Sequence, residues 1–328
     1  LACAVCVSAQ RAINFNADWQ LRGKTITLPR AWNEEYAFRV PIEKLPDDTV
    51  RYVKTFMAPK SWKGKKVFIE FEGARQAAEV WLNGHRLGLH QNGVMAFGFE
   101  LTPYLYIGKE NLMEVLTDND WAYKERNPDG SKQEGASGAT ATTDGNNLPD
   151  NTLQPTSFQW NNKNFNMNMG GLPKNVYLHV TGDIYQTLPL YSNLGTTGTY
   201  IYGTDYDIKG RKVTAHVETQ VVNASPKTQT VSLQVEVLDP DGKSMTKFTG
   251  SPRSIAKGDT ITLTAAHRLS NVHFWSWGYG YLYKVKTSLV VNGLVVDEVA
   301  TRTGFRKTQF GDGKIYLNDR CIMGHGYA

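Results

Sequence analysis

The stretch KVTAHVETQVVN (residues 212–223) sets Val213, Ala215, Val217 and Val221 on alternate positions, with threonine, histidine, glutamate and glutamine between them. Successive side chains of an extended chain point to opposite faces, so this period of two predicts a half-buried β-strand. Outward from it the same texture recurs: VSLQVEVLD (231–239), KVKTSLVVNGLVVDEVATRT (284–303), VYLHVTG (176–182), AEVWLNG (78–84) and KVFIEFEG (66–73) alternate or carry β-branched runs. Each ends on Gly, Asn or Asp, the residues that turns select. Asn83-Gly84, DPDG (239–242) and VNG (291–293) are hairpin signals. No stretch before the last ten residues holds an amphipathic helical period longer than about two turns, so the chain is predicted to be all-β.

A length of 328 residues points to about two domains at ~150 residues each. With 41% hydrophobic and 20% charged residues the composition is that of a globular protein. Residues 10–182 carry long, aromatic-rich strands interrupted by a polar insertion at 126–157, read as a surface loop. Residues 183–303 carry shorter, regularly spaced strands that suggest an immunoglobulin-like sandwich. The net charge of +5 is spread along the chain, and its densest basic run, KGKK (63–66), reads as a solvated turn, so nucleic acid is not implied. No stretch reaches the ~18 apolar residues of a membrane-spanning helix. The opening LACAVCVSAQ ends in small residues before Gln10, which predicts the remnant of a secretory signal over residues 1–9 and a periplasmic or secreted protein; a lipoprotein is the lesser alternative. Cleavage there would leave Cys321 alone, with no internal disulfide.

Several stretches taken together resemble one family. FNADWQL (15–21), LPRAWNEEYAF (28–38), the run from Arg51 to Asp120, and GGLPKNVYLHV (170–180) follow the order seen in the sugar-binding domain of glycoside hydrolase family 2. FWSWGYGYLYKVKTSL (274–289), GFRKTQF (304–310) and IYLNDRCI (315–322) resemble that family's middle sandwich and its junction with a catalytic barrel. The resemblance implies a galactose-binding-like jelly-roll sandwich at 10–182, an immunoglobulin-like sandwich at 183–303, and at 304–328 the first strands of a truncated (β/α)8 barrel. It implies a retaining exo-glycosidase of the β-galactosidase branch, with β-glucuronide and β-mannoside as the family's other substrates. The two carboxyl groups of such an enzyme stand about 5 Å apart on a barrel of ~250 residues, far more than this chain has left, so they are expected outside it. A non-catalytic carbohydrate-binding or adhesion protein is the competing class. Partners would be a β-linked oligosaccharide or glycoconjugate and the chain's own barrel, with homo-oligomerisation left open.

Candidate substrate contacts come from the loops that the resemblance places at the barrel mouth. They are Asn33 and Glu34 in AWNEEYAF, then Trp160, Asn161, Asn164, Asn166 and Asn168 leading into GGLPKN, and His325 at the far end. Trp121, Tyr123, Glu125 and Arg126 flank the same loop and form a second line. A carboxamide both donates and accepts, which matches a sugar hydroxyl, but it can equally satisfy its own loop. Family members can carry an acid before the Gly pair where this chain has amides. Glu34 and Glu35, read as strand neighbours, would face opposite ways. Trp62, Phe68, Phe71 and Trp81 are read as inward-facing core aromatics, and the FWSWGYGYLY rings as packing or, alternatively, as sugar contacts. The seven histidines are scattered without metal-ligand spacing, so neither metal nor cofactor is expected.

Overall fold

A computed structural model describes residues 11–37, 39–40, 46, 48–75, 77–90, 92–93, 95–119 and 169–323. These divide into two units, one holding Ala12–Val180 with Leu190–Gly195 and the other the remaining described residues.

The first unit is built from β1 (Ala12–Asn14), β2 (Trp19–Leu21), β3 (Lys24–Ile26), β4 (Arg30–Ala31), β5 (Thr49–Met57), β6 (Lys66–Phe71), β7 (Ala77–Leu82), β8 (His85–His90), β9 (Phe97–Glu100), β10 (Glu110–Asp118), β11 (Gly171–Leu172) and β12 (Val176–Thr181). They form a sheet in the order β1-β12-β6-β9, a larger one in the order β3-β2-β5-β10-β7-β8, and a small β11-β4 pair. Neighbours in these sheets are mostly remote in sequence, the arrangement of a jelly-roll sandwich. Ile69, Phe71, Phe97 and Leu178 of the first sheet and Trp19, Tyr52, Val80, Leu82 and Met113 of the second share one core. Burying each such side chain contributes about 1.5–3 kcal/mol.

Phe68 and Phe71 are buried as expected, and Trp62 packs against the core from a 3-10 turn at Lys60–Trp62. Trp81 departs from the inward reading. It is half-buried beneath the Arg51 guanidinium, 5.5 Å from the ring centroid.

The second unit comprises β13 (Ile184–Gln186), β14 (Thr199–Asp207), β15 (Lys212–Asn223), β16 (Gln229–Leu238), β17 (Ser244–Thr249), β18 (Arg253–Ile255), β19 (Thr260–Leu269), β20 (Tyr283–Val291), β21 (Leu294–Thr303), β22 (Thr308–Gly311), β23 (Lys314–Leu317) and β24 (Arg320–Ile322). β15 pairs with β13, β14 and β19, while β16 joins β17 and β18 to the β20–β21 hairpin. In β15 every second residue from Val213 to Asn223 is buried, so the alternation read from sequence is the alternation observed. Val213, Ala215 and Val217 meet Val231, Leu233, Val235, Val237, Val285 and Leu289 across the sandwich.

Its hairpins share one device. Asn292-Gly293 and Asn318-Asp319 both hold two consecutive positive φ angles, as Asn83-Gly84 does in the first unit, and that backbone twist matches the twist of the flanking strands. Beyond Thr303 the chain forms an antiparallel three-stranded sheet, β22-β23-β24. Arg320–Ile322 therefore pair antiparallel with β23 through the Asn318-Asp319 turn; residues 324–328, with His325, lie outside the described residues. Among the described residues no helix is long and apolar enough to cross a membrane.

Candidate functional site

The two stretches assigned to the substrate loops meet in the first unit. Arg30–Ala31 pair with Gly171–Leu172, and the Trp32 N–H donates to the Gly170 carbonyl at 3.1 Å. Asn33 completes the joint: its Oδ1 accepts the Gly170 N–H at 2.9 Å and its Nδ2 donates to the Pro46 carbonyl at 3.2 Å. Asn119 Nδ2 donates to that same carbonyl at 3.2 Å, and its Oδ1 accepts the Asp48 N–H at 2.9 Å.

The Gly-Gly pair is a steric requirement of this joint. A Cβ on Gly170 would lie 2.2 Å from Trp32 Nε1 and 2.7 Å from Asn119 Cγ, and one on Gly171, whose φ is +96°, would lie 2.0 Å from the Tyr52 hydroxyl oxygen. Tyr52 is fully buried, donates to the Arg30 carbonyl at 2.9 Å, and is held far above the ordinary phenol range chiefly by that burial. The Arg75 backbone bonds Gly171 in both directions, at 3.0 and 3.2 Å, and its guanidinium, lowered by burial, donates to the Gly93 carbonyl.

Asn33 is thus wholly buried, with both ends of its amide bound to loop backbone. Glu34 is half-buried and paired with Arg30. The strand reading of Glu34 and Glu35 is corrected: they occupy a 3-10 turn, Glu34–Tyr36, with Glu35 exposed. Nearby, Asp48 pairs with Arg22 at 2.5 Å, Asp118 accepts the Thr49 hydroxyl at 2.7 Å, and the Arg22 guanidinium lies 4.7 Å from the Trp32 ring centroid.

Trp121, Tyr123, Glu125, Arg126, Trp160, Asn161, Asn164, Asn166 and Asn168 lie outside the described residues. What the structure gives is the stem from which their segment springs, since Asn119 and Gly170, on either side of it, are in contact range. The sequence named Asn33 as a sugar contact, whereas here its amide holds loop backbone; it singled out none of Tyr52, Arg75 and Asn119, whose places in the joint arise from strand register. Asn119, directly after a β-strand, was the one with a local signal.

This end of the sandwich presents amides, paired guanidinium groups and paired carboxylates. Such groups bind and orient hydroxyls. Among the described residues no three His, Cys, Asp or Glu side chains are grouped to hold a metal ion.

Comparison with known proteins places the fold. The family description "Glycosyl hydrolases family 2, sugar binding domain" matches residues 3–131, and "Glycosyl hydrolases family 2" matches residues 199–306. A beta-glucuronidase of Formosa agariphila is 31% identical over 99% of this chain, and a beta-galactosidase of Bacteroides ovatus is 25% identical over 92%. The solved structure of a beta-glucuronidase from glycoside hydrolase family 2 superposes with a TM-score of 0.78 at 28% identity, covering 95% of this chain and 32% of that one. This chain likewise spans 32% of each of the two curated relatives. With both matches falling on the two sandwiches, the chain belongs to glycosyl hydrolase family 2.

Proposed function

We propose that the protein containing this chain is a retaining exo-glycosidase for terminal β-linked sugars, in which these sandwiches supply substrate-pocket loops and the two catalytic carboxyl groups lie outside residues 1–328. The observation that carries this is the Asn33–Gly170 joint, which fastens together the two stretches that the family resemblance assigns to the pocket edge. Retention requires a carboxyl pair about 5 Å apart, one acting as acid and base and the other as nucleophile. The loops contribute hydrogen bonds that fix the sugar against that pair.

A β-galactoside is the substrate on the sequence resemblance. A β-glucuronide is the second reading, favoured because the 31% identical relative is named a beta-glucuronidase whereas the beta-galactosidase is 25% identical. Export is part of the proposal, supported by the apolar, small-residue run before Gln10.

The test compares nitrophenyl β-galactoside and β-glucuronide as substrates for the full-length gene product and for the 328-residue chain. The full-length protein is expected to release the β-anomer first, observed by proton NMR, from one of the two. The chain by itself is expected to hydrolyse neither. Turnover by the chain alone, or inversion by the whole protein, would overturn the assignment.

A further inference from the structure

We propose that the second unit carries a separate binding site for an acidic sugar residue, in the pocket beside the FWSWGYGYLY turn. The turn closes on itself, with Ser276 and Tyr279 exchanging backbone hydrogen bonds at 3.0 and 2.9 Å, and Gly278, at φ +72°, takes the left-handed position. Trp277 is left 62% exposed and Tyr279 48% exposed. The residues lining an adjoining pocket of about 490 Å³ include Tyr279, Tyr281, Tyr283, Asp239, Lys284 and Arg302.

Two features make this more than a groove. The first is an oriented hydroxyl. Arg211 lies 2.7 Å from His273 Nε2, and a guanidinium can only donate, so Nε2 is the acceptor. His273 Nδ1 then carries the ring proton and donates to the Tyr279 oxygen at 3.0 Å. The Tyr279 hydroxyl hydrogen is left to point elsewhere, and it makes no hydrogen bond of its own among the described residues. The His273 ring also backs Tyr281, at 4.7 Å and 18° between planes, while Tyr283, fully buried, accepts the His273 N–H at 2.7 Å.

The second feature is a pair of cations. Lys284 and Arg302 stand directly opposite each other on β20 and β21, both exposed and with no ion pair among the described residues. Like charges in that register oppose each other. One step along β20, by contrast, Lys286 is paired with Glu298 at 3.1 Å. Asp239 Oδ1 accepts the N–H groups of Asp241 and Lys243 at 3.0 and 2.8 Å, which fixes the carboxylate in its turn, though the charges of Asp239 and Asp241 still reach Tyr281.

A carboxylate or sulfate on a pyranose answers both features. Its charge relieves the Lys284–Arg302 repulsion through charge-assisted bonds, one of its hydroxyl oxygens accepts from Tyr279, and its C–H face lies on an aromatic wall. The site is independent of the hydrolytic reading, since all of its groups belong to the second unit.

The test is affinity electrophoresis of the purified protein in gels containing polygalacturonate, dextran sulfate or neutral dextran, at about 0.15 M salt to suppress general charge attraction. Retardation is expected in an acidic gel and not in dextran; the gel that retards identifies the anion as carboxylate or sulfate. The exposed double variant Lys284→Ser/Arg302→Ser should lose at least about tenfold in apparent affinity at unchanged Tm. Tyr281→Ala should lose several-fold, and Tyr279→Phe, which keeps the ring and removes the donor, a smaller factor. Absence of retardation in both acidic gels, equal retardation in dextran, or retardation indifferent to these substitutions overturns the proposal. Made in the full-length gene product, all these variants should hydrolyse a small aryl glycoside as the parent does. A parent that is retarded yet hydrolyses nothing sinks the proposed function and leaves this site standing.

Discussion

Acidification acts on the first unit through a histidine that has no room for a second proton. His90 is 2% exposed, its ring stacks on Phe97 at 4.0 Å and 10°, and Nε2 faces the Asn92 carbonyl at 2.8 Å. A carbonyl only accepts, so Nε2 carries the proton and Nδ1 is left to accept from the Ser192 hydroxyl at 2.9 Å. Protonation would place a cation in a buried site against Phe97 and turn Nδ1 from acceptor to donor toward Ser192. Burial accordingly lowers His90 from 6.5 to about 4. The unfolded chain takes up the proton near 6.5 and the folded one only near 4. Stability at this residue is therefore complete above about pH 6.5 and is lost as pH falls through that window, by about 3 kcal/mol at pH 4.

His90→Phe separates this effect from the carboxylates that titrate over the same range. The variant keeps the stack but loses the bonds to the Ser192 hydroxyl and the Asn92 carbonyl, so it should be about 1–2 kcal/mol less stable at pH 7. Because it has no proton to refuse, the difference should shrink on acidification, cross zero between about pH 6 and pH 5, and favour the variant at pH 4. Urea unfolding at a series of pH values, followed by the fluorescence of tryptophans such as the fully buried Trp19, reads the first unit's transition. Stability curves of the two proteins that run parallel from pH 7 to pH 4 would refute the reasoning.

Further outcomes rest on other contacts. Gly171→Ala places a methyl into the buried Tyr52 hydroxyl at a positive φ and should destabilise the first unit by on the order of 3 kcal/mol, read by thermal unfolding. Tyr52→Phe should cost about 1 kcal/mol, the value of the bond to Arg30. In the second unit Asp297, raised by burial yet bonded to Arg11 at 2.8 Å and to the Gln186 N–H at 2.7 Å, anchors Arg11. Arg11→Ala should cost about 3–5 kcal/mol, because it strands a buried charge. Glu34→Gln, at a pair about two-fifths exposed, should change stability by less than about 1 kcal/mol in the same assay.

How much of this was legible in the sequence depended on whether the signal was local. β15 was legible because alternation over twelve residues has no competing reading. The Asn-Gly hairpins were legible because few dipeptides tolerate two positive φ angles. Glu34-Glu35 was misread, since a one-turn 3-10 helix needs only three residues and leaves no period to detect. Trp81 was misread because inward and outward aromatics look alike until Arg51 is known to stand over the ring. The return of Leu190–Gly195 to the first unit, where Ser192 meets His90 and Asn193 bonds the Leu89 carbonyl, is a contact across about a hundred residues that no window of sequence contains. The Lys284–Arg302 juxtaposition likewise exists only once the β20–β21 register is set.

The asparagines bear directly on the candidate loop. Several buried or turn asparagines described here give their amides to backbone. Asn111 accepts the Tyr106 N–H and donates to the Tyr106 and Lys109 carbonyls. Asn223 donates to the Lys227 and Ile255 carbonyls, and Asn318 accepts from Lys307 and donates to the Trp275 carbonyl. Asn33 does the same despite its place beside the expected pocket. The amides at 161, 164, 166 and 168 therefore divide into two kinds that experiment can sort. An asparagine that binds sugar loses on the order of 0.5–1.5 kcal/mol of transition-state binding on conversion to alanine, roughly a two- to fifteenfold fall in kcat/KM, with Tm unchanged. One that holds the loop loses Tm and kcat/KM together, because stranding a buried carbonyl costs about 1–3 kcal/mol of stability. At least one of the four is expected in the first group if this segment lines the substrate pocket. If all four substitutions lower Tm in step with activity, or none alters kcat/KM, the stem at Asn33 and Gly170 supports a structural loop and the pocket edge must be sought elsewhere.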